Sequence, residues 1–142
     1  MAEAKLGSRV KAMHLPLSVL VVDDIQDFRE MYASYFSFAG VGVSTAIDGE
    51  EALELSRAYP PDVIVLDLCM PGMSGWQFLE HAQADPCLSR IPVVAITAYG
   101  DEQSEQTARD AGAAAYIPKP CLPQFLLSVV RRAARHAEGR GV

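Results

Sequence analysis

Five short apolar segments recur along the chain and alternate with longer segments whose apolar residues have helical spacing. The apolar segments fall at residues 18–22, 41–46, 62–66, 92–96 and 114–117. Most are runs of Val, Ile and Leu, which is typical of strands buried on both faces, whereas the more polar segment 41–46 indicates a strand nearer an edge. Strands that alternate with helices predict a parallel sheet covered on both sides. We therefore expect a doubly wound α/β domain, because right-handed crossovers leave few other topologies open.

The intervening segments predict five helices and contain signals that end or begin them. The predicted helices occupy residues 27–39, 50–58, a segment between Ser74 and Pro86, residues 101–111 and residues 122–137. Gly40 and Gly112 stand where Gly favours a helix end, and Ser74 is a candidate N-cap. In the first helix, the residues at helical spacing are Phe28, Met31, Tyr32, Tyr35 and Phe36. In the last helix, the predicted inner face comprises Phe125, Leu126, Val129 and Val130.

Length and charge limit the function classes that the chain could serve. The 142 residues suit one domain, and we expect an N-terminal extension at 1–16, the domain at 17–137 and a short tail at 138–142. The formal net charge of −6 is a poor match for phosphate backbones, so we expect no direct nucleic-acid binding. No output domain is expected after the last helix, so the protein either acts through a partner or is cut from a longer chain.

Cysteine usage and the apolar segments indicate a compartment. The chain has an odd number of cysteines, namely Cys69, Cys87 and Cys121, and no two of them have the spacing of a zinc or redox motif. We interpret them as reduced thiols in a cytoplasmic protein. The first residues lack a signal peptide, and no apolar stretch is long enough to span a bilayer, so no membrane insertion is expected.

Polar residues follow four of the five predicted strands, at the sheet edge where open α/β folds bind ligands. They are Asp23 and Asp24, then Asp67, then Thr97, then Lys119. Each alone has an ordinary explanation as a cap, a strand end or a surface lysine. These explanations do not account for the whole set, because each group falls independently at a predicted strand end.

Three converging carboxylates raise each other's pKa values unless a positive charge compensates them. Mg²⁺ is suited to this role, because it accepts carboxylate oxygens and bridges to phosphoryl oxygens. Lys119 adds a compact positive charge suited to phosphate, and Thr97 can donate a hydrogen bond to the same group. Asp67 lies centrally and is therefore the best candidate nucleophile.

These residues carry a resemblance to a known family. The order of motifs is Val22-Asp23-Asp24, then LDLCMPGMSG at 66–75, then Thr97-Ala98, then Lys119-Pro120. Across about residues 17–135 the chain resembles the receiver domain of two-component response regulators. The resemblance is specific, since the family's hallmark positions occur in order and at familiar spacing.

The resemblance implies a flavodoxin-like fold with strand order 2-1-3-4-5 and a regulatory rather than an enzymatic role. It implies that Asp67 accepts a phosphoryl group from a phosphohistidine of a histidine kinase or histidine phosphotransfer protein. Phosphorylation would change the face formed by the fourth helix, fifth strand and fifth helix, and so regulate a downstream protein partner. The lysine bond to Pro120 is often cis in relatives.

The resemblance also implies a role for each residue of the site. Asp24 would bind Mg²⁺, or alternatively Mn²⁺, directly; Asp23 would act through water, and Asp67 and the backbone carbonyl of Cys69 would complete the metal site. Thr97 would be the switch hydroxyl and Tyr116 the aromatic coupled to it, while Lys119 would pair with the phosphoryl group.

One position departs from the commonest family pattern. Many relatives carry a polar or charged side chain two residues after the phosphoacceptor, where this chain has Cys69. The side chains at Cys69 and Tyr99 could therefore set the lifetime of the phosphoryl group, since they can screen or position the attacking water. A redox role for the Cys69 thiol is a weaker alternative, because nearby carboxylates disfavour the thiolate.

Rival interpretations come from other classes. A haloacid-dehalogenase-type phosphatase also places Asp, Thr and Lys at strand ends, but it requires two Asp residues two positions apart, and Ile25 follows Asp23-Asp24 here. A flavin carrier would need a phosphate-cradling loop of Ser, Thr and Gly after Val22, which is missing. A receiver that is no longer phosphorylated and acts as a protein-binding module would usually lose an acidic position or the lysine, and none is lost.

Overall fold

The computed structural model describes residues 16–98 and 102–140, and it contains one five-stranded parallel sheet. The strands are β1 (Ser18–Val22), β2 (Gly42–Ala46), β3 (Val63–Asp67), β4 (Val93–Thr97) and β5 (Ala115–Pro118). The helices are α1 (Gln26–Phe38), α2 (Gly49–Ala58), α3 (Gly75–Ala84), α4 (Glu102–Asp110) and α5 (Pro123–Arg140). The order β2-β1-β3-β4-β5 confirms the predicted flavodoxin-like fold, with the polar segment β2 at an edge.

Two apolar cores lie on opposite faces of the sheet, because alternate side chains of a strand point to opposite sides. On one face, α2, α3 and α4 pack against Leu20, Val22 and their neighbours. On the other face, α1 and α5 pack against Val19, Val21 and theirs. Every residue of β3 and β4 is buried, which explains why these segments read as continuous apolar runs.

The local signals act as the sequence predicts. Gly40 and Gly112 have φ values of 87° and 109°, a left-handed conformation that glycine adopts without a steric penalty. Ser74 begins α3 with a capping box: its hydroxyl accepts a hydrogen bond from Gln77 N at 3.3 Å, and Gln77 Oε1 accepts one from Ser74 N at 2.9 Å. This cap fixes where α3 starts, directly after the loop that follows β3.

The last helix differs from its prediction. It runs to Arg140, beyond the predicted end at residue 137. Phe125 was assigned to its inner face, but this was wrong, since Phe125 is 56% exposed. The buried residues of the helix start at Leu126 and continue with Leu127 and Val130, and Phe125 is rotated by about 100° from Leu126.

None of the helices in the described part of the chain combines the length and the apolar character that a membrane crossing requires. Asp101, with which the fourth helix was predicted to begin, lies outside the described residues.

Candidate functional site

The polar residues predicted to lie at strand ends come together at one edge of the sheet, and Asp24, Asp67 and Lys119 among them line a cleft of about 390 Å³. Asp23 and Asp24 follow β1, Asp67 and Thr97 are the last residues of β3 and β4, and Lys119 follows β5. The residues that line the cleft are Asp24, Ile25, Phe28, Asp67, Cys69, Ala98, Lys119 and Pro120. Parallel pairing brings these chain-distant groups together, because all five strands end at the same edge of the sheet.

Three carboxylates form the acidic part of the site. Asp23, Asp24 and Asp67 each offer an oxygen within 4.8 Å of the others. Asp23 is fully buried and Asp67 is 3% exposed, whereas Asp24 is exposed to solvent. Asp23 Oδ1 accepts a hydrogen bond from Ile25 N at 2.9 Å, but the buried Asp23 Oδ2 accepts none with good geometry from the described residues. A buried carboxylate oxygen beside two further acids is a donor set that fits a hard divalent cation.

Lys119 supplies the positive charge that faces these acids. Its Nζ lies 2.8 Å from Asp23 Oδ2 in an ion pair and donates a hydrogen bond to Asp67 Oδ2 at 3.1 Å. Burial alone would lower the pKa of the Lys119 ammonium, but the two carboxylates outweigh it and the pKa is raised. The lysine therefore remains charged at neutral pH despite being almost completely buried.

For the pKa of Asp67, burial has a larger effect than the neighbouring charges and hydrogen bonds. Burial raises the pKa of its carboxyl group, and this effect outweighs the Cys69 N–H and Lys119, which lower it. Within this ion pair the folded protein thus favours the charged form of Lys119 and disfavours the charged form of Asp67. The reason is that Lys119 interacts with two carboxylates, whereas Asp67 shares one ammonium with Asp23. More positive charge at the site would favour the ionised carboxylate that a nucleophile needs.

The turn after β3 holds Asp67 in place. Cys69 N donates a hydrogen bond to Asp67 Oδ1 at 2.9 Å. Gly75, the first residue of α3, packs so closely that a Cβ there would overlap the Asp67 carbonyl oxygen and lie 2.5 Å from Leu68 Cα. Only glycine permits this contact without a shift of the backbone.

The remaining predicted site residues lie around this centre. Cys69 Sγ is 3.5 Å from Thr97 Oγ1, within contact for a weak sulfur hydrogen bond. Tyr116 lies on β5 and packs, half-buried, against the core that contains α2, α3 and α4. The peptide bond between Lys119 and Pro120 is cis. Tyr99, the other residue assigned to phosphoryl lifetime, is outside the described ranges.

Sequence reasoning missed an aromatic contact from α1. The Phe28 ring lies under the ammonium of Lys119, with Nζ 4.2 Å from the ring centroid. The next aromatic residue on the same helix face, Tyr32, donates a hydrogen bond from its hydroxyl to the Cys121 carbonyl oxygen at 3.1 Å. The helical spacing places both rings on one face of the helix, but it contains no signal that one of them meets Lys119.

The comparisons with known proteins agree with this geometry. The family profile described as the response regulator receiver domain matches residues 19–131. The chain belongs to the receiver domain family of response regulators. Members of this family are regulatory phosphoacceptor domains, and membership supports a role in phosphorylation-dependent signalling over the phosphatase and flavin-carrier alternatives.

Individual relatives differ in length. The polar-differentiation response regulator DivK of Brucella anthropi is 32% identical over 116 residues, covering 81% of this chain and 94% of DivK. The probable transcriptional regulator ycf27 of Guillardia theta is 37% identical over 117 residues, but the match covers only 45% of that protein. The chain thus spans about half the length of several relatives. Among solved structures, chemotaxis protein CheY4 of Vibrio cholerae superposes with a TM-score of 0.79 at 31% identity, covering 83% of this chain and 98% of CheY4.

Proposed function

We propose that Asp67 accepts a phosphoryl group from a phosphohistidine and that the protein switches a partner on or off in response. The observation that carries this proposal is the pairing of the buried Asp67 with Lys119 at the open cleft, with two further acids beside it. A buried carboxylate that a fixed ammonium and a backbone N–H hold in one orientation is preorganised for in-line attack.

The chemical step balances without any further reactant. An Asp67 carboxylate oxygen forms a bond to phosphorus while the bond from phosphorus to the donor histidine nitrogen breaks, and that nitrogen keeps the electron pair. Lys119, which already contacts Asp67 Oδ2, would then contact the oxygens of the phosphoryl group. Water would later hydrolyse the acyl phosphate and restore the carboxylate.

The acidic cluster would hold Mg²⁺, for which Mn²⁺ could substitute. Asp24, Asp67 and the Cys69 carbonyl would be the direct ligands, and Asp23 would act through water. When bound, the metal neutralises charge on the transferring phosphoryl group. The fit is supported by the three acids, since a single lysine offsets only part of their charge.

The signal would pass through Thr97 and Tyr116. A phosphoryl group on Asp67 adds negative charge and strong acceptor oxygens, to which the Thr97 hydroxyl can donate once it leaves the Cys69 thiol. Movement of Thr97 at the end of β4 would change the packing of the neighbouring Tyr116 on β5. The face formed by α4, β5 and α5 would then present a different surface to a downstream protein.

The test is phosphorylation with a small donor, such as acetyl phosphate, in the presence of Mg²⁺, followed by intact-mass measurement. The wild type and the control Asp110→Ala, which changes an exposed acid of α4, should gain one phosphoryl group. Asp67→Ala should gain none. A mass gain that persists in Asp67→Ala would remove Asp67 from this role, and rapid turnover of small phosphomonoesters by the wild type would contradict a regulatory function.

A further inference from the structure

The ring of Phe28 stands apart from the other aromatic residues of α1. Tyr32 and Phe36, which follow at intervals of four residues, are completely buried and need no explanation beyond packing. Phe28 is only half-buried, lines the cleft and contacts the ammonium of Lys119. Its position beside the reacting groups therefore calls for a role other than filling the core.

The ammonium of Lys119 is enclosed by three partners. Two are the carboxylates of Asp23 and Asp67, and the third is the face of the Phe28 ring. The negative face of an aromatic ring attracts a cation, most strongly where both are shielded from water, and the Lys119 side chain is only 5% exposed. The ring thus stabilises the ammonium inside the cleft together with the two acids.

The ring differs from the acids in what competes for it. A divalent cation or a phosphoryl group at Asp67 would draw away the carboxylate oxygens that Lys119 now contacts. Neither would bind the ring face, since hard cations prefer oxygen ligands and the negative face of the ring repels an anionic phosphoryl group. Contact with the ring can therefore outlast both ion pairs while Lys119 exchanges a carboxylate for a phosphoryl oxygen.

The ring is also fixed relative to the backbone that carries Lys119. Phe28 stacks on Tyr32, with ring centroids 6.2 Å apart and planes inclined by 23°. The hydroxyl of Tyr32 is hydrogen bonded to the carbonyl of Cys121, two residues after Lys119. A short chain of contacts thus connects the ring under the ammonium with the loop from which the lysine extends.

We propose that Phe28 is a positioning residue for phosphoryl transfer: its ring holds the Lys119 ammonium in the cleft while the acids are engaged by metal or phosphoryl group. The inference rests on the proposed function of Asp67 and adds a residue to the set of acids, hydroxyl and lysine already described at the site. Phe28 acts through Lys119 and does not itself touch the reacting atoms.

The first test replaces Phe28 by phenylalanines with increasing numbers of ring fluorines. Fluorine withdraws charge from the ring face and nearly preserves its shape, so a packing role and a cation-binding role give different results. We expect the phosphorylation rate with acetyl phosphate to fall stepwise, by about two- to thirtyfold across the series, the range that corresponds to typical cation–ring energies. The same substitutions at Phe36, about two turns further along α1, should leave the rate unchanged. A flat series at Phe28 would overturn the proposal.

The second test does not depend on phosphorylation. The ε-methylene protons of Lys119 should have a ring-current shift in the NMR spectrum of the wild type at saturating Mg²⁺. Phe28→Leu should remove this shift and Phe28→Tyr should keep it. If the wild type takes up no phosphoryl group, the proposed function of Asp67 fails, and this measurement still decides whether the Phe28 ring holds the Lys119 ammonium when the acids bind metal. An identical Lys119 spectrum in wild type and Phe28→Leu would refute it.

Discussion

The two faces of the sheet hold the two charged partners of the site by different physical means. On the face that carries α2, α3 and α4, the turn of Asp67 is fixed by steric contact with Gly75. On the face that carries α1 and α5, Lys119 is fixed by two carboxylates and the ring of Phe28, and its loop by a hydrogen bond from Tyr32. The backbone of the acceptor turn therefore rests on close packing, whereas the position of the lysine rests on electrostatic contacts.

The difference indicates which of the two partners can respond to its environment. Close-packed contacts change little with metal or pH, because overlap of atoms has no dependence on charge. Ion pairs and ring contacts change whenever another charge enters the cleft. A phosphoacceptor benefits from a fixed position, whereas a lysine that must exchange partners benefits from contacts that can be replaced.

The largest effect is expected when the positive charge is removed. Lys119→Met leaves the buried Asp23 without its ion-pair partner, which should cost about 3–5 kcal/mol of unfolding free energy in metal-free buffer. Saturating Mg²⁺ should restore more stability to the variant than it adds to the wild type, because the cation replaces the lost charge. Urea unfolding with chelator and with Mg²⁺ measures both quantities.

Arg57→Met provides the control for this prediction. It breaks the exposed ion pair of Arg57 with Asp85, whose atoms lie 3.0 Å apart, and should change stability little with or without the metal. Equal gains from Mg²⁺ in Lys119→Met and in the wild type would show that the site does not depend on charge compensation, and the proposed contrast between the two faces would fail.

A smaller loss of unfolding free energy, which does not depend on metal, is expected on the face that carries α2, α3 and α4. Gly75→Ala forces a Cβ against the Asp67 carbonyl and the Leu68 backbone and should cost about 1–3 kcal/mol. Gly42→Ala is the control, since the nearest atom to its Cβ would be 3.6 Å away, an ordinary contact. The stabilisation by Mg²⁺ should match that of the wild type in both variants, as measured by urea unfolding. A loss of unfolding free energy in Gly42→Ala as large as that in Gly75→Ala would indicate that the effect is not specific to the turn.

The sequence predicted the parts of the molecule that depend on local pattern. Apolar runs located the strands, their polar ends located Asp67 and Lys119, and Ser74 located the start of α3. These signals lie within a few residues of the feature that they predict. Parallel strands then bring the ends together without further information.

The errors and omissions concern contacts between distant segments. Phe125 has the apolar character of an inward residue, but the packing of Leu126 and Val130 against the sheet sets the rotation of α5 and leaves Phe125 exposed. The distance between Phe28 and Lys119 joins residues 91 positions apart (119 − 28), and it depends on how α1 is seated on the sheet. The apolar pattern of either segment gives no information about its contact with the other.

The smallest effect is expected from the hydrogen bond that secures the loop of Lys119. Tyr32→Phe removes the donor to the Cys121 carbonyl and should cost about 1 kcal/mol at neutral pH. Burial, with smaller contributions from Cys121 and nearby acids, raises the pKa of Tyr32 from 10.0 to about 12. The folded state thus favours the neutral phenol, so the stabilisation is complete below pH 10 and is lost as the pH rises through about 12.

The alkaline behaviour separates this contact from simple packing. Titration of phenolate absorbance in the wild type should show the ionisation of Tyr32 as a step near pH 12, and Tyr32→Phe should remove that step. The exposed Tyr59 serves as the control, since Tyr59→Phe should leave the late step in place. The stability difference between wild type and Tyr32→Phe should shrink over the same pH range, because ionised Tyr32 can no longer donate to the carbonyl. Equal stability of the two proteins at every pH would mean that Tyr32 secures the loop through its ring alone, and the hold on Lys119 would then be steric on this face as well.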